Sequence, residues 1–341
     1  MTLSPEALTQ KFQIPRWPSE RPLFVLVVIL SLFLWLLLAV SMVGLIYFVL
    51  IGILLFVVHM VFVAHVRGSA VKLGPDQFPE LHEAVVRISQ EMGMPPPAAY
   101  ILQSGGALNA LATRFFKGSM IILYSNLLEA CGQNRGARDM IIGHELAHLK
   151  CGHLRWLWLT LPGLGLPFLG GALSRAREYT CDRYGIAAAG NIPDALKGLA
   201  ILAAGPVYGT QTNLRAFTQQ RSDMNTGFMT LAEWLGSHPP LSKRIAALNP
   251  EIAVPGFSPA AGTFRALAIL LLTFVGIAGV TVAALEVAPI ITRLRTTDAT
   301  KAGSAEVPEP QAATQQAQAD FERLSAFIKQ EWWNAGALPK S

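Results

Sequence analysis

Three side chains in one short stretch could do chemistry together: His144, Glu145 and His148, within Asp139-Met-Ile-Ile-Gly-His-Glu-Leu-Ala-His-Leu-Lys-Cys-Gly-His153. The run from 139 to 153 reads as a helix, with good helix formers throughout and Gly152 as a C-terminal stop. Residues four apart share a helix face, so His144 and His148 can offer two imidazoles to one ion. Glu145 can then reach a water on that ion. Two neutral nitrogen ligands beside a carboxylate base are the working parts of a zinc peptidase. So short a motif also arises by chance, leaving two solvated histidines on a surface helix. Support must come from elsewhere in the chain.

Tetrahedral zinc with two histidines needs a third protein ligand and a water. Ser174 to Gly185 reads as a helix with Glu178 and Asp182 four apart on one face. Glu178 can supply the third ligand. Asp182, one turn on, can accept the free ring N–H of a liganding histidine and fix its tautomer. Alone, the segment would read as a solvated helix in which Arg175 and Arg177 pair the acids; the upstream histidines reverse that balance. His153 falls off the two-histidine face and reads as structural.

The elements that must position these residues point to a membrane. Apolar residues make up 52% of the 341 and charged residues 14%, an imbalance unusual in a soluble protein. Leu23 to Val66 contains no Lys, Arg, Asp or Glu, enough for two spans with a turn near Ser41 to Gly44. A cleaved signal peptide has a much shorter apolar core. Arg16 and Arg21 precede this hairpin and Arg67 and Lys72 follow it, so the positive-inside rule places both its ends in the cytoplasm. Within the second span, His65 is expected at the interface and His59 against a packing partner. Cys131, Cys151 and Cys181 are too scattered for a disulfide framework and suit a reducing compartment. The net charge of +5 comes without a basic run, and nucleic acid is not an expected partner.

Beyond the hairpin, Phe78 to Met92 has helical periodicity, and Ala99 to Leu102 and Ser119 to Tyr124 read as strands. Gly106 to Thr113, small and extended between them, reads from pattern alone as an ordinary strand, although an exposed edge there could pair with a peptide. Leu154 to Leu173 is apolar but broken by Pro162-Gly-Leu-Gly165 and Pro167. A single crossing would separate the two helices on opposite membrane faces, so a re-entrant or surface-lying hairpin is expected. Ala266 to Leu285 is long enough for a further span. Arg293 and Arg295 leave the side of the following tail open. Ala299 to Ala319 reads as disordered, and Phe321 to Trp333 as a short amphipathic helix with Trp332 and Trp333 at an interface.

The sequence resembles the integral-membrane zinc metallopeptidases that include HtpX and the CAAX prenyl proteases. Four elements carry the resemblance: His144-Glu-Leu-Ala-His148 with His153, Ser174-Arg-x-x-Glu178-Tyr-x-x-Asp182, Asn109-Ala110-Leu111-Ala112, and Ser237-His238-Pro-Pro-Leu-Ser-Lys-Arg244. With the hairpin they span roughly residues 20 to 250. The resemblance implies one zinc per chain on His144, His148 and Glu178, with Glu145 as general base. It makes Asn109 to Ala112 a substrate-groove strand, and it places His238 and Arg244 near the cleft to orient substrate or stabilise the oxyanion. His238 also reads simply as the residue before a helix at 240–248 that starts on Pro239 and Pro240. HtpX-like members carry two long spans between the two ligand helices, whereas this chain has one short broken stretch. Cys181 stands where the family usually has alanine, and a thiol beside a zinc ligand could be redox-sensitive.

The expected fold is mainly α with a small β-sheet: an α+β zincin-like catalytic domain of the gluzincin type. Residues 1–22 form a cytoplasmic segment, 23–66 the hairpin, 67–263 the peptidase domain, 264–288 a C-terminal span and 289–341 a flexible tail. The expected activity is hydrolysis of membrane or misfolded proteins at the inner face of a bacterial cytoplasmic membrane, as protein quality control. Peptide and membrane-protein substrates and the bilayer are the expected partners. A dedicated processing protease for one membrane-anchored or lipidated substrate, and a catalytically silent membrane scaffold, are the alternatives. An intact His144, Glu145, His148 and Glu178 set disfavours the scaffold.

Overall fold

The computed structural model describes residues 11–103, 110–115, 118–303, 315 and 317–327. Helices dominate, with one four-stranded sheet. The chain divides into two compact units, Met1–Leu270 and Leu271–Ser341.

The first unit opens with two long apolar helices, α1 (Glu20–Val40) and α2 (Met42–Ser69), both long and apolar enough to cross a membrane. They break at Ser41, whose extended backbone ends α1 and whose hydroxyl accepts the Gly44 N–H to start α2. Trp35 packs edge-on against Phe48 at 4.4 Å between ring centroids. No charge interrupts α2 before Arg67, and it runs three residues past the Val66 limit read from composition.

The sheet follows α2. Strand β1 (Val71–Lys72) pairs antiparallel with β2 (Ala98–Leu102), β2 runs parallel to β4 (Gly118–Tyr124), and β3 (Ala110–Phe115) pairs antiparallel with β4 at the edge. Helix α3 (Pro79–Glu91) lies between β1 and β2 in sequence. Alternation along β4 sets the two faces of the sheet. Ile121 and Leu123 meet Val85 and Ile88 of α3 and Ile142 and Leu146 of α5 (Arg135–Lys150). Met120 and Ile122 pack with Val63 and Val66 at the end of α2. The sheet is thus seated on the hairpin. Asn109, read as part of the groove strand, lies outside the described residues.

Helix α4 (Ser125–Cys131) leads into α5, which begins four residues before the expected Asp139 because Asn134 caps it, accepting the Ala137 N–H at 2.8 Å. It ends at Lys150, and Gly152 takes the left-handed conformation with φ +73°. The stretch from 154 to 173 forms a short helix, α6 (Leu157–Leu164), that lies against α1. Ser31 Oγ accepts the Gly163 N–H at 2.9 Å and donates to the Thr160 carbonyl at 3.1 Å, while the Trp35 indole donates to the Leu159 carbonyl. The chain turns at Gly165 to Phe168 and returns as α7 (Leu169–Ala189) against α5.

Five helices follow: α8 (Ile192–Gly209), α9 (Leu214–Gln219), α10 (Gly227–Leu235), α11 (Leu241–Leu248) and α12 (Pro259–Gly303). The part of α12 from Pro259 to Ile290 is a third helix long and apolar enough to cross a membrane. Residues 299–303, read as disordered, continue α12: alanine and threonine carry the helix on and the next proline is Pro308. Residues 317–327 are helical; Trp332 and Trp333 lie outside the described residues.

Helices α5 and α7 cross with their backbones close together. A Cβ on Gly143 would stand 2.4 Å from the Ala188 Cβ, and one on Gly185 would stand 2.9 Å from the Met140 carbonyl oxygen. Gly143→Ala should therefore destabilise the protein by about 1–3 kcal/mol through overpacking. Thermal unfolding in detergent should register the loss, and Gly68→Ala, whose Cβ would meet nothing within 4 Å, should leave the midpoint unchanged or slightly raised.

Candidate metal centre

The α5–α7 crossing sets the centre, because Gly143 immediately precedes His144 and Glu178 lies two turns before Gly185. His144 Nε2 is 3.3 Å from Glu178 Oε2, and His148 Nε2 is 3.4 Å from Glu178 Oε1. Ligands about 2.0–2.2 Å from a tetrahedral zinc stand roughly 3.3–3.6 Å from one another, and these separations fall in that range. His144 and Glu178 are buried and His148 is half-buried.

A carboxylate and an arginine lie behind these donors. His144 Nδ1 is 3.0 Å from Asp182 Oδ1, and Asp182 is fully buried. The Arg244 guanidinium, on α11, grips the same carboxylate through Nε at 2.8 Å and through Nη2, and its Nη1 lies 3.4 Å from Glu178 Oε2. Desolvation pulls His144 toward neutrality, but Glu178 and Asp182 outweigh it and raise its pKa to about 10. Burial raises both acids, yet His144, His148 and Arg244 hold Glu178 well below the usual carboxylate range, and Arg244 with His144 lowers Asp182. A donor set that draws positive charge this strongly fits a divalent cation.

Glu145 lines the cavity formed over the histidines, a space of about 280 Å³. Among the described residues, none forms a hydrogen bond or ion pair with its carboxylate. Ala110, Leu111 and Ala112 of the edge strand β3 line the same cavity. His238 stands at its mouth with a side chain 65% exposed, its Nδ1 2.8 Å from Ser237 Oγ and its Nε2 3.6 Å from Glu178 Oε1. Arg175 donates to the carbonyls of Glu233, Trp234 and Gly236. It thereby satisfies the C-terminal end of α10 and fixes the loop that carries His238.

A second donor group, His148, His153 and Cys181, shares one histidine with the first. Burial pushes the Cys181 thiol well above its ordinary value, which favours the protonated, packed thiol. The open cavity and Glu145 belong to the first group.

Two more side chains reach the centre. His153, read as structural, is buried, its Nδ1 3.1 Å from His148 Nδ1 and its Nε2 3.2 Å from Oε1 of Glu20, the first residue of α1. Burial, with Glu20 pulling the other way, lowers His153 to about 4. Glu20, 133 residues away, gave no signal in the sequence.

The model of peptidase family M48 matches residues 75–169 and 157–252, together about half of the chain. The plastoglobule-localized metallopeptidase 48 of Arabidopsis thaliana is 27% identical over 169 residues, 45% of this chain and 48% of that protein. A protease HtpX homolog from Desulfatibacillum aliphaticivorans is 26% identical over 56% of this chain and 74% of its own length. One from Thermococcus sibiricus is 27% identical over 52% and 75%. The chain thus spans about half the plastoglobule protein and three-quarters of the HtpX homologs. No solved structure matches. Apolar helices flank a matched segment that contains both helices of the centre, and the chain belongs to peptidase family M48 as an HtpX-like, membrane-associated metallopeptidase.

Proposed function

We propose that this protein is a membrane-anchored zinc endopeptidase with His144, His148 and Glu178 as metal ligands and Glu145 as general base. The observation that carries the reading is that two imidazole Nε2 atoms each lie within 3.4 Å of a Glu178 carboxylate oxygen, in the lining of a cavity edged by β3. His144, His148 and Glu178 would hold a zinc ion, which would supply a Lewis acid for the scissile carbonyl and a more acidic water. Glu145 takes the proton of that water and passes it to the leaving amine. Its carboxylate has no described partner that competes for that proton.

Asp182 accepts the His144 Nδ1–H and so leaves Nε2 free to bind metal. Arg244 neutralises the fully buried Asp182 and steadies Glu178; its contacts are those of a positioning residue. His238 is exposed at the mouth, where an imidazole can donate to the developing oxyanion. Substrate enters extended, adding a strand to β3 along Ala110 to Ala112.

Membrane placement follows from charge. Arg16 before α1, Arg21 in its first turn, and Arg67 and Lys72 around the end of α2 support a centre on the cytoplasmic face. The α6 segment is then re-entrant: it enters beside Ser31 and Trp35 and returns, keeping α5 and α7 on one side. Substrates are proteins or peptides with an extended segment beside the bilayer, including misfolded membrane proteins.

Purified protein should contain one zinc per chain and cleave casein or itself. Glu145→Gln should retain the zinc and lose nearly all cleavage, and stripping the metal with a chelator should abolish wild-type activity until zinc is restored. A metal-free wild type, or a Glu145→Gln protein cleaving at the wild-type rate, overturns the reading. Arg244→Met leaves the Asp182 carboxylate buried without its cation, at a cost of about 3–5 kcal/mol. A lowered unfolding midpoint in detergent should accompany about 10-fold weaker zinc binding, measured by chelator competition.

A further inference from the structure

The two metal-binding histidines are oriented from behind by different devices. His144 has a carboxylate, Asp182, reaching it from α7 across the crossing. His148 has another imidazole: His153 Nδ1 lies 3.1 Å from His148 Nδ1. An imidazole orients a ligand only when its own tautomer is fixed, because each ring nitrogen can donate or accept.

Glu20 fixes it. Its Oε1 lies 3.2 Å from His153 Nε2 and 2.6 Å from Arg16 Nη1, and its other oxygen accepts the Thr180 hydroxyl. A carboxylate paired with a guanidinium is an acceptor only, so His153 must carry its proton on Nε2. His153 Nδ1 is then bare and accepts the His148 Nδ1–H. That leaves the lone pair on His148 Nε2, the atom 3.4 Å from Glu178 Oε1. The reverse tautomer would send the His153 proton to His148 Nδ1, place a hydrogen on His148 Nε2 and close that position to metal. Each donor in the chain has one acceptor, and only one direction is compatible with metal binding.

Glu20 has access because the residues before α1 are packed on α7. Phe12 is buried against Tyr184, and the Trp17 ring stacks on Tyr179 at 4.4 Å. The Trp17 N–H donates to Thr180 Oγ1 at 2.9 Å, and Arg16 Nη2 donates to the Cys151 carbonyl at 2.7 Å. Glu20 itself is 1% exposed.

We propose that Glu20, at the start of the first membrane helix, is a positioning residue for the metal ligand His148, acting through His153. The membrane anchor thereby forms part of the metal centre. This rests on the assignment of His144, His148 and Glu178 as the zinc ligands.

The test uses the full chain in detergent, with the zinc dissociation constant measured by chelator competition and the d–d spectrum recorded after cobalt substitution. Glu20→Ala should weaken zinc binding by about 10–100-fold and alter the cobalt spectrum. Glu20→Gln, whose amide oxygen still accepts from His153, should recover most of the affinity. Phe12→Ala loosens the same segment without touching the hydrogen-bond chain, and it should lower the unfolding midpoint while leaving zinc affinity unchanged. Should Glu20→Ala not fold, His153→Phe removes the acceptor for His148 and must show the same loss. Wild-type affinity and spectrum in folded Glu20→Ala or His153→Phe overturn the proposal alone. A sulfur-to-cobalt charge-transfer band would put the metal on His148, His153 and Cys181, and overturns it too. A wild type without zinc overturns the ligand assignment beneath it.

Discussion

Everything at the centre depends on how closely α5 and α7 approach. Neither helix carries a complete donor set: α5 holds two imidazoles and the base, α7 a carboxylate and its supporting aspartate. Bringing Glu178 within 3.4 Å of both histidines requires backbones nearly in contact, and Gly143 and Gly185 make that possible because any Cβ there meets the opposite helix. The apolar residues on either side, Leu146 and Ile142 on α5 and Ala188 and Tyr184 on α7, belong to one buried cluster with the sheet. Packing therefore sets the donor geometry, and the donors do not have to set the packing.

So tight a crossing concentrates charge. Glu178, Asp182, His144 and Arg244 are all buried within hydrogen-bonding reach of one another, and each would be costly alone. Arg244 comes from α11, in a later part of the chain, and Arg175 holds the loop before it by three carbonyls. The C-terminal helices thus complete the electrostatics of a centre whose donors come from α5 and α7. The same dense packing favours a protonated Cys181 thiol.

The membrane elements are tied to this centre by polar contacts as well as by sequence. Ser31 and Trp35 of α1 hold α6 by its backbone, and the segment before α1 lies along α7. On the far side, Val63 and Val66 of α2 close one face of the sheet that carries the edge strand. Both helices of the hairpin therefore contribute packing surface to the rest of the first unit.

The sequence by itself determined whatever repeats locally. The four-residue spacings of His144 with His148 and Glu178 with Asp182 follow from helix periodicity, the strands read at 99–102 and 119–124 from β-patterned runs, and the candidate spans from the absence of charge. Helix ends shifted by a few residues where a cap such as Asn134 decided them. Only the tertiary structure decided which long-range partners meet: that β3 is the edge strand beside Glu145, that Arg244 belongs to Asp182, that Arg175 serves a helix end, and that Glu20 reaches His153. These contacts join residues from 33 positions apart (Ala112 and Glu145) to 133 (Glu20 and His153). No periodicity links such residues, because their meeting depends on how helices cross and on which buried charges can find a partner.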